Sequence, residues 1–286
     1  MFSNSKVKIN FTAWLFLSPA LILLSIFLFI PILYLIFLSF TDGNFIDNQW
    51  IGWRNYQNIF QDGDFWQIII NTVYFSIATI IPSIIIPLLL AILLKEQIIL
   101  KSFFRTSYFL PSITSLVAMG LGFRWLFQNE GPINQFLLSL NITPIPWLNS
   151  TIWAMPVVIL FSVWRQIGFN LILFLAGLQA IPQNRYEAAQ LDGANVWAQF
   201  WYITLPGLKP TLILTSITTA IFTFRSFEQI YVMTNGGPAN STNILAYYIY
   251  QEAFRQFNFG YAAANTSILL AIAFILVYVQ LLIWRE

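Results

Sequence analysis

From Phe11 to Phe40 the chain runs thirty residues without a charged side chain, and from Trp66 to Leu94 it does so again for twenty-nine. About twenty apolar residues in a helix cross the hydrocarbon core of a bilayer. No water is available there to satisfy backbone N–H and C=O groups, so a spanning segment is helical or belongs to a closed barrel. Unbroken apolar runs of this length lack the period-two alternation of a barrel strand and predict helices. Six spans are expected, over 12–40, 66–94, 103–127, 152–178, 211–233 and 265–284, in one transmembrane domain covering residues 1–286. Pro19 and Pro31 fall in the first span, and Pro82 and Pro87 in the second. Neighbouring helices can satisfy the backbone groups that proline frees, so these positions predict kinks and not breaks.

Composition agrees with lipid as the solvent. The chain is 58% hydrophobic and 8% charged, with a mean hydropathy of +0.71, whereas soluble domains carry about a quarter charged residues. Aromatic residues make up 18%, as belts at two membrane interfaces require. There is no Cys and no His, which excludes disulfides, thiol nucleophiles, imidazole acid–base chemistry and the usual zinc sites; no metal is expected. A net charge of +2 gives no reason to expect nucleic acid. Lys6 and Lys8 precede an apolar run too long for a cleavable signal, so the first run reads as a retained span.

Lysine and arginine in the loops set the orientation. With six spans both termini share a side, and that side collects eight cations: Lys6, Lys8, Lys95, Lys101, Arg105, Arg185, Lys209 and Arg285. The other side holds two, Arg54 and Arg255, with the acids Asp42, Asp47, Asp62, Asp64, Glu130 and Glu252. Both termini are therefore expected in the cytoplasm, together with residues 95–102 and 179–210. On the outer side, the part of residues 234–264 after Asn243 reads as an interfacial helix, with Tyr247, Tyr248, Ile249 and Phe254 against Gln251, Glu252 and Arg255.

The cytoplasmic stretch between the fourth and fifth spans carries the most information. Pro182 can open a helix, since its missing N–H falls where none is needed. Glu187 sits early enough to favour the helix dipole, Ala188 and Ala189 leave a shallow surface, and Gly193 can end the helix in a left-handed turn. A second short helix over about Val196–Ile203 then leads to Leu205-Pro206 and back to the membrane. Two short helices on the cytoplasmic face form an element able to dock in a groove of another protein. The pattern Glu187-Ala188-Ala189, three residues, Gly193, nine residues, Ile203, one residue, Leu205-Pro206 resembles the EAA loop of binding-protein-dependent ABC importer permeases. Gly177-Leu178-Gln179-Ala180-Ile181-Pro182, Thr234-Asn235-Gly236-Gly237-Pro238, Ser18-Pro19-Ala20 and Gly260-Tyr261-Ala262-Ala263-Ala264 extend the likeness over nearly the whole chain. Together they resemble the carbohydrate-uptake permeases of the larger maltose-permease-subunit type.

The resemblance implies an all-α, six-helix type I importer fold with a cytoplasmic coupling helix, in a bacterial inner (plasma) membrane. It implies that Glu187, Ala188, Ala189, Gly193, Leu205 and Pro206 couple to a separate ATPase dimer that binds ATP and Mg²⁺. It also implies a second, homologous permease to complete the pore and an extracytoplasmic solute-binding protein. No cofactor is expected in this chain, which has no glycine-rich phosphate loop with Lys and Ser/Thr, and it is expected to be a transport subunit and not an enzyme.

Ionisable groups at membrane depth read as functional by default. Arg165, with Trp164, Gln166 and Phe169, lies mid-helix or in the outer half of the fourth span. An aromatic ring can stack on a sugar's C–H face while Arg and Gln donate to hydroxyls. Thr219, Thr223 and Ser226 form a polar stripe at helical spacing, and Ser112 and Ser115 are offered by the third span. The resemblance places Trp164, Gln166, Phe169, Thr219 and Thr223 at positions that line a substrate pocket; helix–helix hydrogen bonding is the other reading for Ser and Thr. Arg225 and Glu228, three apart, are expected on one helix and able to pair. Arg124, beside Trp125, is expected to snorkel outward. The expected cargo is a di- or oligosaccharide or a glycoside. Glycerol-phosphate or another polar solute is the alternative, since Arg165 and Arg225 could serve an anion. An ion-coupled secondary carrier is the competing class, with Glu228 as its intramembrane carboxylate; a membrane-embedded enzyme fails for want of clustered acids, His and Cys.

Overall fold

The computed structural model describes residues 4–43, 48–95 and 101–285. Two compact units emerge, Met1–Asp62 with Ile249–Ile268, and Gly63–Tyr248 with Leu269–Glu286. In chain order the helices are α1 (Asn4–Leu24), α2 (Ile30–Leu38), α3 (Arg54–Gln61), α4 (Gly63–Lys95), α5 (Lys101–Ile113), α6 (Leu116–Leu126), α7 (Pro132–Ser139), α8 (Ala154–Ala180), α9 (Gln183–Leu191), α10 (Val196–Gln199), α11 (Leu205–Gly207), α12 (Lys209–Phe224), α13 (Glu228–Met233), α14 (Leu245–Tyr250) and α15 (Phe259–Arg285). Among the described residues, four helical stretches are long and apolar enough to cross a membrane, and six if two bent pairs each count as one span.

In the smaller unit, α1 and α2 join through a π-helical turn at Ser25–Phe29 into one apolar rod. Pro19 leaves the Leu15 carbonyl without its helical donor, and Ser18 Oγ supplies one at 2.7 Å. Asn55 of α3 anchors the connection by donating to the Ser39 and Thr41 carbonyls at 2.9 and 2.8 Å. Gly43, at φ +71°, lies so close to the Gly260 backbone that a Cβ on either would overlap the other segment.

In the larger unit α4 and α8 pack along each other, with α5 and α12 against α8 and α12 against α4. Leu88, Ala91, Leu171, Phe174, Leu178 and Leu212 form the shared core. Close approach explains Gly168: a Cβ there would meet the Tyr108 carbonyl and Ser112.

Two of the expected spans are broken. The stretch 103–127 is two helices, α5 and α6, set at 106°. Ser115 leaves the helical region (φ −54°, ψ 122°) and starts α6 as its N-cap; a serine that can bond the next turn's N–H competes with helix continuation. The stretch 211–233 ends at Phe224, and α13 resumes after Arg225-Ser226-Phe227. The last helix begins at Phe259, ahead of the expected 265. The interfacial helix after Asn243 is also faced differently than its pattern predicts. Tyr247, Tyr248 and Glu252 are buried and Phe254 is exposed; Gln251–Arg255 is π-helical, and a wider turn there shifts Glu252 and Phe254 from their α-helical bearing.

Candidate functional site

A cavity of about 270 Å³ opens in the larger unit, lined by Thr79, Leu116, Phe161, Ser162, Arg165, Gln166, Phe222, Arg225, Ser226, Glu228 and Gln229. α8 contributes Phe161, Ser162, Arg165 and Gln166, at a spacing that puts all four on one helical face. The other wall exists because α12 stops. Arg225 and Ser226 donate their N–H groups to the Ile221 and Thr223 carbonyls at 3.1 Å, and the three-residue break turns Arg225, Ser226, Glu228 and Gln229 toward the same space. Arg225 and Glu228 therefore end one helix and begin another, in place of the i,i+3 pair expected on one helix. Gln229 Nε2 reaches across to Ser162 Oγ at 3.4 Å. Arg165 is half-buried, and its Nε is buried with no hydrogen-bond partner among the described residues. An unmatched guanidinium N–H in a dry wall favours any ligand bringing a hydroxyl or charged oxygen, since an unmade hydrogen bond there is costly.

Of the residues expected to touch substrate, Arg165, Gln166 and Ser226 line this cavity. Phe169 packs edge-on against Phe222, with ring centroids 5.9 Å apart, and so backs the wall. Trp164 lies against Phe123. Ser112 donates to the Arg165 carbonyl at 2.9 Å, holding α5 on α8, and Ser115 is the exposed cap of α6. Thr219 and Thr223 are buried between helices and not at the cavity: Thr223 donates to the Thr219 carbonyl at 2.8 Å, and Thr219 Oγ1 accepts from Asn170 Nδ2 at 2.9 Å. That same amide donates to the Ser83 carbonyl at 2.6 Å. Pro87 has no N–H to give this carbonyl, so Asn170 replaces the helical bond that proline removes. Thr79, Phe161, Ser162, Phe222 and Gln229 were not singled out in the sequence. Helical spacing from Arg165 points to Phe161 and Ser162, but nothing in the apolar text around 225–227 announces the break that presents Gln229. Arg124 donates to the Val232 carbonyl at 3.3 Å.

At the other end of α8, α9 presents Glu187 and Ala188 to the exterior, with Ala189 half-buried. Gly193, at φ +78° with open space around it, ends α9. Gly193 N–H bonds the Gln190 carbonyl and Ala194 N–H the Ala189 carbonyl, the paired bonds of a Schellman cap. Asn195 Oδ1 then caps the next helix by accepting from Ala198 N–H at 2.8 Å. Inward, Tyr186 is buried with the core of α4, α8 and α12, its hydroxyl 3.0 Å from Thr204 Oγ1. Leu205 is half-buried and Pro206 exposed.

Residues 73–285 match the family model described as "Binding-protein-dependent transport system inner membrane component". The chain is 37% identical to the lactose transport system permease protein of Rhizobium radiobacter over 99% of its length and 97% of that protein's. It is 36% identical to the sulfoquinovosyl glycerol transport system permease protein of Agrobacterium fabrum, covering 96% and 90%. With the arabinooligosaccharides transport system permease protein of Bacillus subtilis the identity is 33%, covering 94% and 87%. Its fold is similar to a chain in the crystal structure of a bacterial ABC transporter that imports alginate, with a TM-score of 0.84, 24% identity and coverage of 98% and 97%. All-helical architecture, near full-length likeness to transport permeases and a family match over three quarters of the sequence agree: the chain is a transport subunit and not an enzyme, and it belongs to the inner membrane components of binding-protein-dependent ABC transport systems.

Proposed function

We propose that this permease carries a neutral oligosaccharide or small glycoside inward across a bacterial inner membrane, with both termini cytoplasmic. A second permease completes the pathway, a solute-binding protein delivers the cargo, and residues 179–210 take the stroke of a separate ATPase dimer that binds ATP and Mg²⁺. The observation that carries the reading is the cavity. It sets Arg165, Gln166, Ser226, Glu228 and Gln229 around the exposed ring of Phe222, with Phe161 buried behind them, the mixture a pyranose needs for its hydroxyl rim and C–H face. At about 270 Å³ the cavity falls just under the range of about 300–1,000 Å³ for ligand sites, as one wall of a site that a second permease completes would. The relatives' names, for lactose, arabinooligosaccharides and a sulfoquinovosyl glycerol, support a sugar cargo. An anionic glycoside is the second reading, favoured by two guanidiniums, Arg165 and Arg225, against the one carboxylate of Glu228.

Glu187 and Ala188, exposed on α9, are the contact offered to the ATPase. The test is uptake into proteoliposomes holding the chain with its second permease and ATPase, fed by the loaded binding protein. Arg165→Ala should depress uptake while the complex still assembles, and Glu187→Lys should impair assembly or uncouple ATP turnover. Uptake that proceeds without ATP, or that ignores both substitutions, refutes the proposal.

A further inference from the structure

The segment Val196–Gly207 has two unlike faces. Inward, Phe200 and Ile203 are half-buried and Thr204 is buried, with Ile203 and Leu205 against the core of α4, α8 and α12. Outward, Trp197, Trp201 and Tyr202 are 71%, 54% and 82% exposed. Trp197 and Trp201 are four apart and form one ridge, buttressed edge-on by Phe200 at 6.4 and 5.2 Å between ring centroids. From Gly193 to Leu208 there is no charged residue, while Asp192 precedes the stretch and Lys209 follows it. A face bathed in water gains nothing from two tryptophans, whereas the boundary between headgroups and acyl chains is where such amphipathic rings collect.

Geometry places that boundary within reach. The segment is bent 65° from α12, and the two together are long and apolar enough to form one broken span. Twelve helical residues are about 18 Å long. With α12 along the membrane normal, a 65° bend leaves the segment about 25° from the membrane plane, so that over its whole length it recedes from the bilayer by only about 8 Å.

We infer that Trp197 and Trp201 form an interfacial anchor, bedding the second half of the cytoplasmic loop in the inner leaflet while α9, with Tyr202 turned toward it, stays free for a protein partner. The anchor fixes the loop's height against the membrane.

The chain has no cysteine, so single labels can be placed cleanly. Trp197→Cys, Trp201→Cys and, as an aqueous control, Asn184→Cys on exposed α9 are nitroxide-labelled in the full chain in lipid nanodiscs, with and without the ATPase. Power-saturation EPR then compares collisions with O₂ and with a water-soluble nickel chelate. A ratio shifted toward O₂ at 197 and 201 relative to 184, unchanged by the ATPase, is the expected result. A ratio equal to that at 184 overturns the anchor, and so does protection from both reagents that appears only with the ATPase, which would make this face a protein contact. Because a label perturbs the ring it replaces, a second measurement uses Trp201→Phe: bromolipid quenching of total tryptophan emission should fall relative to the native chain, and an unchanged quenched fraction overturns the inference.

Discussion

Asn170→Leu removes one amide that serves two helices at once. Its Nδ2 donates to Thr219 Oγ1 on α12 and to the Ser83 carbonyl on α4, and the two losses differ. Thr219 can turn back and bond a carbonyl of its own helix, as Thr223 does to Thr219 at 2.8 Å, so that contact is worth about 0.6 kcal/mol, the usual interhelical value in membranes. The Ser83 carbonyl has no such recourse, because Pro87 stands where the i+4 N–H belongs. Leaving it buried and unmatched costs about 1–3 kcal/mol. Asn170→Leu should therefore destabilise the chain by about 1.6–3.6 kcal/mol. The discriminating variant is Pro87→Ala, which restores the helical N–H. Added to Asn170→Leu it should recover about 1–3 kcal/mol, a coupling readable in a double-mutant cycle. Reversible unfolding of the purified chain in mixed micelles, followed by circular dichroism, measures all four species. If Pro87→Ala fails to rescue Asn170→Leu, the carbonyl argument is wrong.

Gly168→Val should separate α5 from α8, because its Cβ would meet the Tyr108 carbonyl and Ser112 Oγ; overpacking of this kind costs about 1–3 kcal/mol, measurable in the same unfolding assay. Gly193→Val should cost about 1–2 kcal/mol through backbone strain alone, since φ is +78° and the surrounding space is open, whereas Gly193→Asn should be nearly neutral; comparing their melting temperatures separates strain from crowding. Gln229→Leu should lower sugar uptake through loss of a cavity amide while leaving detergent stability close to native, because its bond to Ser162 is long at 3.4 Å; a large stability loss with normal uptake would make Gln229 structural only.

The membrane class, the family and the cap at Gly193 were legible because each rests on signals that survive without tertiary context: apolar length, residue spacing, and a glycine flanked by helix formers. The broken spans were not. Thr114-Ser115 and Arg225-Ser226-Phe227 sit inside stretches whose average hydropathy is that of a continuous helix, and averaging hides a local cap. The same blindness explains the threonine stripe. Thr215, Thr219 and Thr223 share a face as their spacing requires, but spacing cannot say whether that face meets a cavity or a neighbour; α4 and α8 occupy it. Arg165 and Gln166, polar groups inside an apolar helix, line the cavity, while the opposite wall depended on the break after Phe224. Tyr247 shows the reverse error: an aromatic beside polar residues looks interfacial, but its ring packs against Phe227 and Tyr231 and is buried.

Tyr186 ties the two halves of the molecule's chemistry together. It lies on the opposite side of α9 from Glu187's exposed face, buried among Leu178, Ile181, Leu208 and Leu212, and its hydroxyl meets Thr204. Gly207 is pressed on Ile181, and Gly177 on Thr211 and Leu208, so closely that a methyl at either would overlap. Close-packed contacts of this kind do not deform gradually, so α9 cannot shift without carrying the lower ends of α8 and α12. Those helices bear Arg165 and Gln166 on one side of the cavity and end at Arg225 and Ser226 on the other. On the role proposed for Glu187, a stroke delivered there would reach the two walls as rigid displacements and not as a relayed signal. Tyr186→Ala should uncouple the ends: burying a large side chain is worth about 2–3 kcal/mol, so α9 would loosen from the core while the cavity itself stays formed. ATP turnover should then continue without its response to loaded binding protein, and substrate protection of a label beside Gln166 should persist. Loss of both together would mean that Tyr186 holds up the fold and not the link.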